Sequence, residues 1–250
     1  MTLIVLIIML LCWGSFLNQL AYRLVHDNIT LSKSRSTCPH CLTNLKARDL
    51  IPVLSWCLLW GRCRSCQHSI SILYPIIELL TIVTILPIFY YFSVTYWLAY
   101  FIFCSALIIT IRTDLETFLI SNLVSIYLIP LGLIFSYFNY LPVTVINSGL
   151  GAILGYSLLW LTNFMFAYFT NKQGLGTGDL FLLAFIGSFT GPIGCWLSLL
   201  LGSLLGSLVG IMQILAGNNQ FSGKIPFGPY LALGAITYIY WQDLILRIML

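Results

Sequence analysis

Two aspartates, Asp114 and Asp179, stand where acids are costly. Each falls at the edge of a long apolar run. A carboxylate at the centre of a bilayer costs on the order of +2.5 to +3.5 kcal/mol on insertion scales, so its default reading is functional. Asp179 closes the stretch Gly174-Leu175-Gly176-Thr177-Gly178-Asp179, whose glycines let the backbone approach another element closely. Irregular backbone at membrane depth is tolerated where it is buried in protein or lines a wet cavity. No Gly-Lys-Ser/Thr follows and no strand precedes, so the stretch does not read as a phosphate cradle. Asp114 lies in Ile111-Arg112-Thr113-Asp114-Leu115-Glu116, where Arg112 and Glu116 can pair with each other. Taken alone, Asp114 reads equally well as the mark of a solvated helix boundary. If the fold brings the two aspartates together, they form an acid/base couple whose protonation states are pushed apart. The expected catalytic pair is therefore Asp114 and Asp179, with Gly176 and Gly178 shaping the loop.

A third acid, Glu78, falls about two turns into another apolar run and should face protein or a water-filled cavity. A helix-packing hydrogen bond and a functional role are equally open to it.

Four of the eight cysteines form Cys38-Pro39-His40-Cys41 and Cys63-Arg64-Ser65-Cys66, with 21 residues between the pairs. Paired CxxC elements at this separation read as a tetrahedral zinc site, each thiolate about 2.3 Å from the metal. Arg62 and Arg64 help to offset the negative charge. A polar loop of this kind holds too little core to fold alone, and a structural metal supplies that folding energy. His40 and His68 are expected on the surface. Cys12, Cys57, Cys104 and Cys195 are scattered and read as packing.

The elements that position these groups are membrane helices. Of the 250 residues, 60% are hydrophobic and only 7% are charged, and apolar runs near 20 residues long recur. The fold class is all-α and polytopic: about eight transmembrane helices with a zinc-stabilised cytoplasmic loop at about residues 23–71. The runs are Leu3–Ala21, Ile72–Phe92, Thr95–Ile111, Phe118–Phe138, Val143–Phe169, Leu180–Phe189, Ile193–Leu215 and Pro226–Leu246. Leu180–Phe189 is short, and a re-entrant segment is its alternative. No basic n-region precedes the first run, so it reads as a retained helix and not as a cleaved signal. With the N-terminus outside, the cytoplasmic loops hold Arg23, Lys33, Arg35, Lys46, Arg48, Arg62, Arg64, Arg112, Lys172 and Lys224, and only Arg247 falls outside. The positive-inside rule supports this orientation. It puts both aspartates at the cytoplasmic face and the cysteines where disulfides are disfavoured. The net charge of +4 reports orientation, not a nucleic-acid partner. Gly202, Gly206 and Gly210 read as close helix packing, and Tyr90, Tyr91, Tyr96, Trp97 and Tyr100 as an interfacial aromatic belt.

Five motifs in order resemble the type IV prepilin leader peptidases, the smaller competence-type members in particular. They are Gly14-Ser15-Phe16-Leu17-Asn18 with Tyr22-Arg23-Leu24; the two CxxC pairs with Tyr74-Pro75 and Glu78-Leu79-Leu80; Asp114; Gly176-Thr177-Gly178-Asp179; and Ile225-Pro226-Phe227-Gly228-Pro229. Ser121 stands where the family often has Pro, and Leu180 and Phe181 follow Asp179 where Lys is usual.

The resemblance implies a multi-pass protein of the bacterial cytoplasmic membrane that cuts a short basic leader from prepilin-like precursors. It implies N-methylation of the new amine from S-adenosylmethionine, with Glu78 lining that site. Residues 1–92 would carry methyl transfer and the zinc loop, and residues 93–250 a six-helix aspartic peptidase. Two other classes compete. A transporter would use the acids as ion or proton sites, but no repeated halves are visible and both acids lie on one side, not at the midplane. A non-enzymatic assembly scaffold would need the cysteine loop and not the aspartates.

Overall fold

The computed structural model describes residues 2–25, 37–38, 40–171, 174, 176–215 and 226–249. Lys33, Arg35, Lys172, Leu175, Lys224 and Ile225 lie outside the described residues, as does the side chain of Arg247. Among the described residues the architecture is helical, without strands. The chain forms two compact units, Met1–Tyr90 and Tyr91–Leu250.

The first unit holds α1 (Thr2–Val25), α2 (Leu54–Leu58), α3 (Leu73–Ile85) and α4 (Ile88–Tyr91). α1 packs on α3 at Gly14, where a Cβ would sit 2.8 Å from Thr81 Oγ1 and 2.9 Å from Glu78 Cα. Only glycine allows that approach. One turn on, fully buried Asn18 donates to the Tyr74 carbonyl at 3.1 Å. Pro75 falls in the first turn of α3, where its missing N–H costs no bond. Pro87 separates α3 from α4.

The second unit holds α5 (Val94–Thr117), α6 (Asn122–Ser125), α7 (Ile129–Tyr137), α8 (Val145–Thr170), α9 (Thr177–Leu215) and α10 (Gly228–Met249). Its centre is aromatic: Phe103 lies 5.3 Å from Phe185 and 4.9 Å from Phe189 between ring centroids. α8 and α9 meet backbone to backbone, because a Cβ on Gly151 would strike the Gly187 carbonyl and one on Gly155 the Leu183 carbonyl. Ser148 donates to the Ser188 carbonyl across the same seam at 2.5 Å. Such small-residue seams are how membrane helices pack closely. Gly202 serves α10 in the same way, lying against the Tyr230 carbonyl.

α9 is one label for two helices. Gly191 takes φ 72° and ψ −176°, and Pro192 follows, so the helix breaks there. In a straight helix residues 183 and 195 would be about 18 Å apart. Instead Cys195 Sγ lies 3.9 Å from the Leu183 carbonyl. Residues 177–190 and 192–215 therefore fold back on each other. The first arm starts at Thr177, earlier than the apolar run suggests. It still rises only about 21 Å, short of a hydrocarbon core of about 30 Å.

Among the described residues, five helical stretches are long and apolar enough to cross a membrane: Leu3–Val25, Leu73–Tyr91, Val94–Thr117, Val145–Thr170 and Thr177–Leu215. The protein is an integral membrane protein. The third apolar run does not stop at Ile111, since α5 continues to Thr117 and takes Asp114 into its last turn. The fourth begins later than expected: Phe118 turns left-handed (φ 57°), and helix resumes only at Asn122. Ser121 has φ −68° and ψ 126°, the angle proline would fix. Two smaller expectations need correction. Tyr100 belongs to the core, buried against Phe92 at 4.5 Å, and not to a surface belt. Of the scattered cysteines, Cys104 and Cys195 are buried but Cys12 and Cys57 are exposed.

Candidate active site

Asp114 is 5% exposed. The turn that follows it is closed by the Phe118 N–H bonding back to its carbonyl at 3.0 Å. Its Oδ2 accepts the Gly228 backbone N–H at 2.9 Å. Gly228 is the first residue of α10, where unpaired N–H groups and the helix dipole favour an acceptor. A Cβ on Gly228 would lie 2.8 Å from that same oxygen. The bond exists because the residue is glycine.

Asp179 is 9% exposed and lies in the first turn of α9. Its N–H bonds to the Gly176 carbonyl at 3.2 Å, and Oδ2 is 3.4 Å from where a Gly176 Cβ would be. Its Oδ1 is buried with no hydrogen-bond partner among the described residues. Ile120 fills the space between the two loops, 2.9 Å from a Gly178 Cβ and 3.2 Å from a Gly228 Cβ. Asp114 and Asp179 lie within range of each other's charge. The end of α5 and the starts of α9 and α10 thus converge at one end of this unit. The start of α10 therefore lies at the same end of the unit as both aspartates.

Arg112, buried one half-turn before Asp114, bonds Glu116 at 2.5 Å, the pair expected from their spacing. Sequence reasoning missed Gly228 and Ile120. The signal for Gly228 was present in the Pro226-Phe227-Gly228-Pro229 stretch, which carried no role of its own. Nothing in the sequence singled out Ile120.

The cysteines form two matching knuckles. Cys38 N–H bonds to the Thr43 carbonyl (3.0 Å) and Leu42 N–H to the Cys38 carbonyl (2.9 Å). Cys63 N–H bonds to the His68 carbonyl and Gln67 N–H to the Cys63 carbonyl, both at 2.9 Å. Isolated bridges, Thr37 with Asn44 and Arg62 with Ser69, close the two loops. The four sulfurs lie within 4.8 Å of one another, against about 3.8 Å along the edge of a zinc tetrahedron with 2.3 Å bonds. The donor set therefore fits zinc. Hydrogen bonds from Thr43 pull the Cys41 thiol down to about 6. Cys66 is pushed up to about 11: His68 lowers it, but burial and the neighbouring thiols outweigh that bond. His40 and His68 stay on the surface, their rings stacked at 4.0 Å.

Comparison with known proteins shows the family. Residues 8–92 match the bacterial peptidase A24 N-terminal domain, and residues 101–211 match the type IV leader peptidase family. The prepilin leader peptidase/N-methyltransferase of Aeromonas salmonicida (strain A449) is 37% identical, covering 88% of this chain and 76% of the relative. This chain belongs to the type IV leader peptidase family. The type 4 prepilin-like proteins leader peptide-processing enzyme of Escherichia coli O78:H11 is 34% identical, covering 92% of this chain and 91% of its own. The prepilin leader peptidase/N-methyltransferase of Pseudomonas aeruginosa is 32% identical over 92% of this chain. No solved structure matches the chain.

In this leader peptidase Glu78 is buried in the first unit. Its Oε2 accepts the Val53 N–H at 2.7 Å. Val53 has φ 58° and ψ −52°, and the Leu54 N–H bonds across it to the Pro52 carbonyl at 2.5 Å. This is the rarer, strained form of γ-turn, in a β-branched residue that avoids positive φ. Glu78 holds it in place.

Proposed function

We propose that this enzyme removes the short basic leader of type IV prepilin-like precursors by aspartyl-catalysed attack of water. The observation that carries the reading is the convergence of two buried carboxylates, one with an oxygen that no described residue satisfies. The pair shares one proton, because two close carboxylates do not both ionise cheaply. The ionised member takes a proton from water as its oxygen attacks the scissile carbonyl, and the protonated member gives its proton to the carbonyl oxygen. Collapse of the tetrahedral species breaks the C–N bond, and the amine leaves with a proton returned by the pair. The dyad titrates as a unit, so neither role is fixed to one residue. Gly228 orients Asp114, and Gly176 and Gly178 let the second loop close on it.

Residues 1–92 are proposed to carry N-methylation of the new amine, and residues 93–250 the peptidase. S-adenosylmethionine, when bound, supplies an electrophilic methyl group on a sulfonium cation. Glu78 suits that chemistry, since a buried carboxylate can face the cation or hold the proton the amine releases. Zinc, held by Cys38, Cys41, Cys63 and Cys66, would have a structural role, because four protein ligands leave no open position. The proposed setting is the bacterial cytoplasmic membrane, with the N-terminus outside and the aspartates at the cytoplasmic face, as the basic loops favour.

The test is incubation of the purified protein with a synthetic prepilin-like precursor and S-adenosylmethionine, read by mass spectrometry. Loss of the leader followed by gain of one methyl group supports both halves. An intact precursor refutes the peptidase reading, and a cut but unmethylated product refutes the methyl-transfer half.

A further inference from the structure

The loop between α1 and α3 exposes apolar side chains in one place. Leu54 is 61% exposed, Leu58 78% and Trp60 88%, and Leu50 and Ile51 beside them are also exposed. Large apolar groups on a solvated loop signal an interaction surface. The neighbouring Trp56 behaves differently: its indole N–H bonds to the Ile70 carbonyl at 3.2 Å, and its ring lies where a Gly61 Cβ would be. One tryptophan braces the loop while the other points away from it.

Glu78 fixes the level of this surface. The Val53 N–H, at the start of α2, bonds to a side chain five residues into α3, about 7.5 Å along the helix axis. α3 opens the apolar stretch Leu73–Tyr91, which is suited to cross a membrane. α2 is thereby tied to the first turns of a membrane helix. Ile72, just before α3, and Ile76 and Leu79 on it are exposed as well, as expected of side chains facing lipid. The Val53–Glu78 bond ties α2 to the buried side of α3, and the exposed side chains of α3 lie on its other faces. Exposed Lys46, Arg48 and Arg62 flank the apolar side chains. Apolar groups bordered by Lys and Arg, with a tryptophan at the edge, match the boundary between acyl chains and anionic headgroups.

We infer that the Leu50–Trp60 edge of the cysteine loop is a membrane-seating surface, with Leu54, Leu58 and Trp60 inserted at the interface of an anionic phospholipid bilayer. The zinc loop is then held down at both ends by helices and along its middle by lipid. The inference is independent of the peptidase reading.

Collision accessibility measures it directly. A ketone-bearing amino acid at Leu58, labelled with a nitroxide through an oxime, avoids the native thiols. The full-length zinc-loaded protein goes into nanodiscs of phosphatidylethanolamine and phosphatidylglycerol. Relaxation by oxygen, which concentrates in lipid, is compared with relaxation by a water-soluble nickel chelate. The expected result is oxygen-dominated relaxation at position 58, like that of a label at Ile76 and opposite to one at exposed Asn44. A label at Leu54 repeats the measurement should the one at 58 disturb the loop. Chelate-dominated relaxation at 54 and 58 would place the surface in water and overturn the inference. Low accessibility to both agents would mean that another protein surface covers it, a second copy or a bound precursor, and would overturn it equally.

Discussion

Gly228→Ala isolates the bond that orients Asp114. The added Cβ would lie 2.8 Å from Asp114 Oδ2 and 3.2 Å from Ile120 Cδ1. A carbon and an oxygen in ordinary contact sit about 3.3–3.6 Å apart, so the carboxylate must retreat by roughly 0.5 Å or more. That stretches the 2.9 Å bond from the Gly228 N–H beyond useful length. A hydrogen bond to a charged group contributes about 1.5–3 kcal/mol. If it is lost in the transition state, the rate falls roughly 10- to 150-fold. Displacement of the carboxylate from the attacking water works in the same direction. Folding should survive, because alanine favours helix over glycine by about 1 kcal/mol and position 228 begins α10. The assay is leader cleavage by purified wild-type and Gly228→Ala protein, with kcat and KM resolved and thermal unfolding measured alongside. The expected outcome is a lower kcat, a nearly unchanged KM and a Tm only modestly lowered. Wild-type kcat in a correctly folded variant would show that the Gly228–Asp114 bond does not serve the chemistry. Loss of kcat together with a collapsed Tm would show that glycine at 228 is needed for packing instead.

Four further outcomes follow from the same geometry. Asp114→Asn and Asp179→Asn should each lower cleavage by at least about 10²- to 10⁴-fold while the protein remains inserted; activity surviving in either purified variant would rule out the dyad. Glu78→Gln keeps an oxygen to accept the Val53 N–H, so cleavage and stability should persist while methylation of the product is lost, and normal methylation would remove Glu78 from that site. Glu78→Ala, by contrast, leaves a Val53 N–H unpaired at a strained turn and should lower stability by about 1–3 kcal/mol, read as a lower Tm. Removing zinc with a strong chelator should raise amide hydrogen exchange across residues 40–70 with little change in 145–215, since metal binding supplies the loop's folding energy; unchanged exchange would show that the loop folds without the ion.

The chemistry was legible in the sequence wherever residue type and local spacing decide it. Four cysteines in two CxxC pairs specify a tetrahedral thiolate site whatever the loop does between them, and the two knuckles repeat one local hydrogen-bond pattern. Apolar run length fixed the helical class, because only intrasegment hydrogen bonds satisfy a lone chain in lipid. The spacing of Arg112 and Glu116 gave their pairing. Asp114 and Asp179 were recognisable singly, as acids in an apolar setting. Tertiary structure decided which groups meet. The bond between Gly228 and Asp114 joins residues 114 positions apart, and no periodicity encodes it. Ile120 became the wedge between two loops only once α5, α9 and α10 converged. The break at Gly191 was legible in the sequence, where Leu180–Phe189 and Ile193–Leu215 are already separate runs; the packing of the two arms on each other was decided by the tertiary structure. Glu78 was visible as a misplaced acid, but its partner, a strained backbone N–H 25 residues earlier, belongs to a loop whose path no local spacing encodes. Local chemistry is written in neighbouring residues, whereas the meeting of distant ones depends on packing free energy summed over the whole chain.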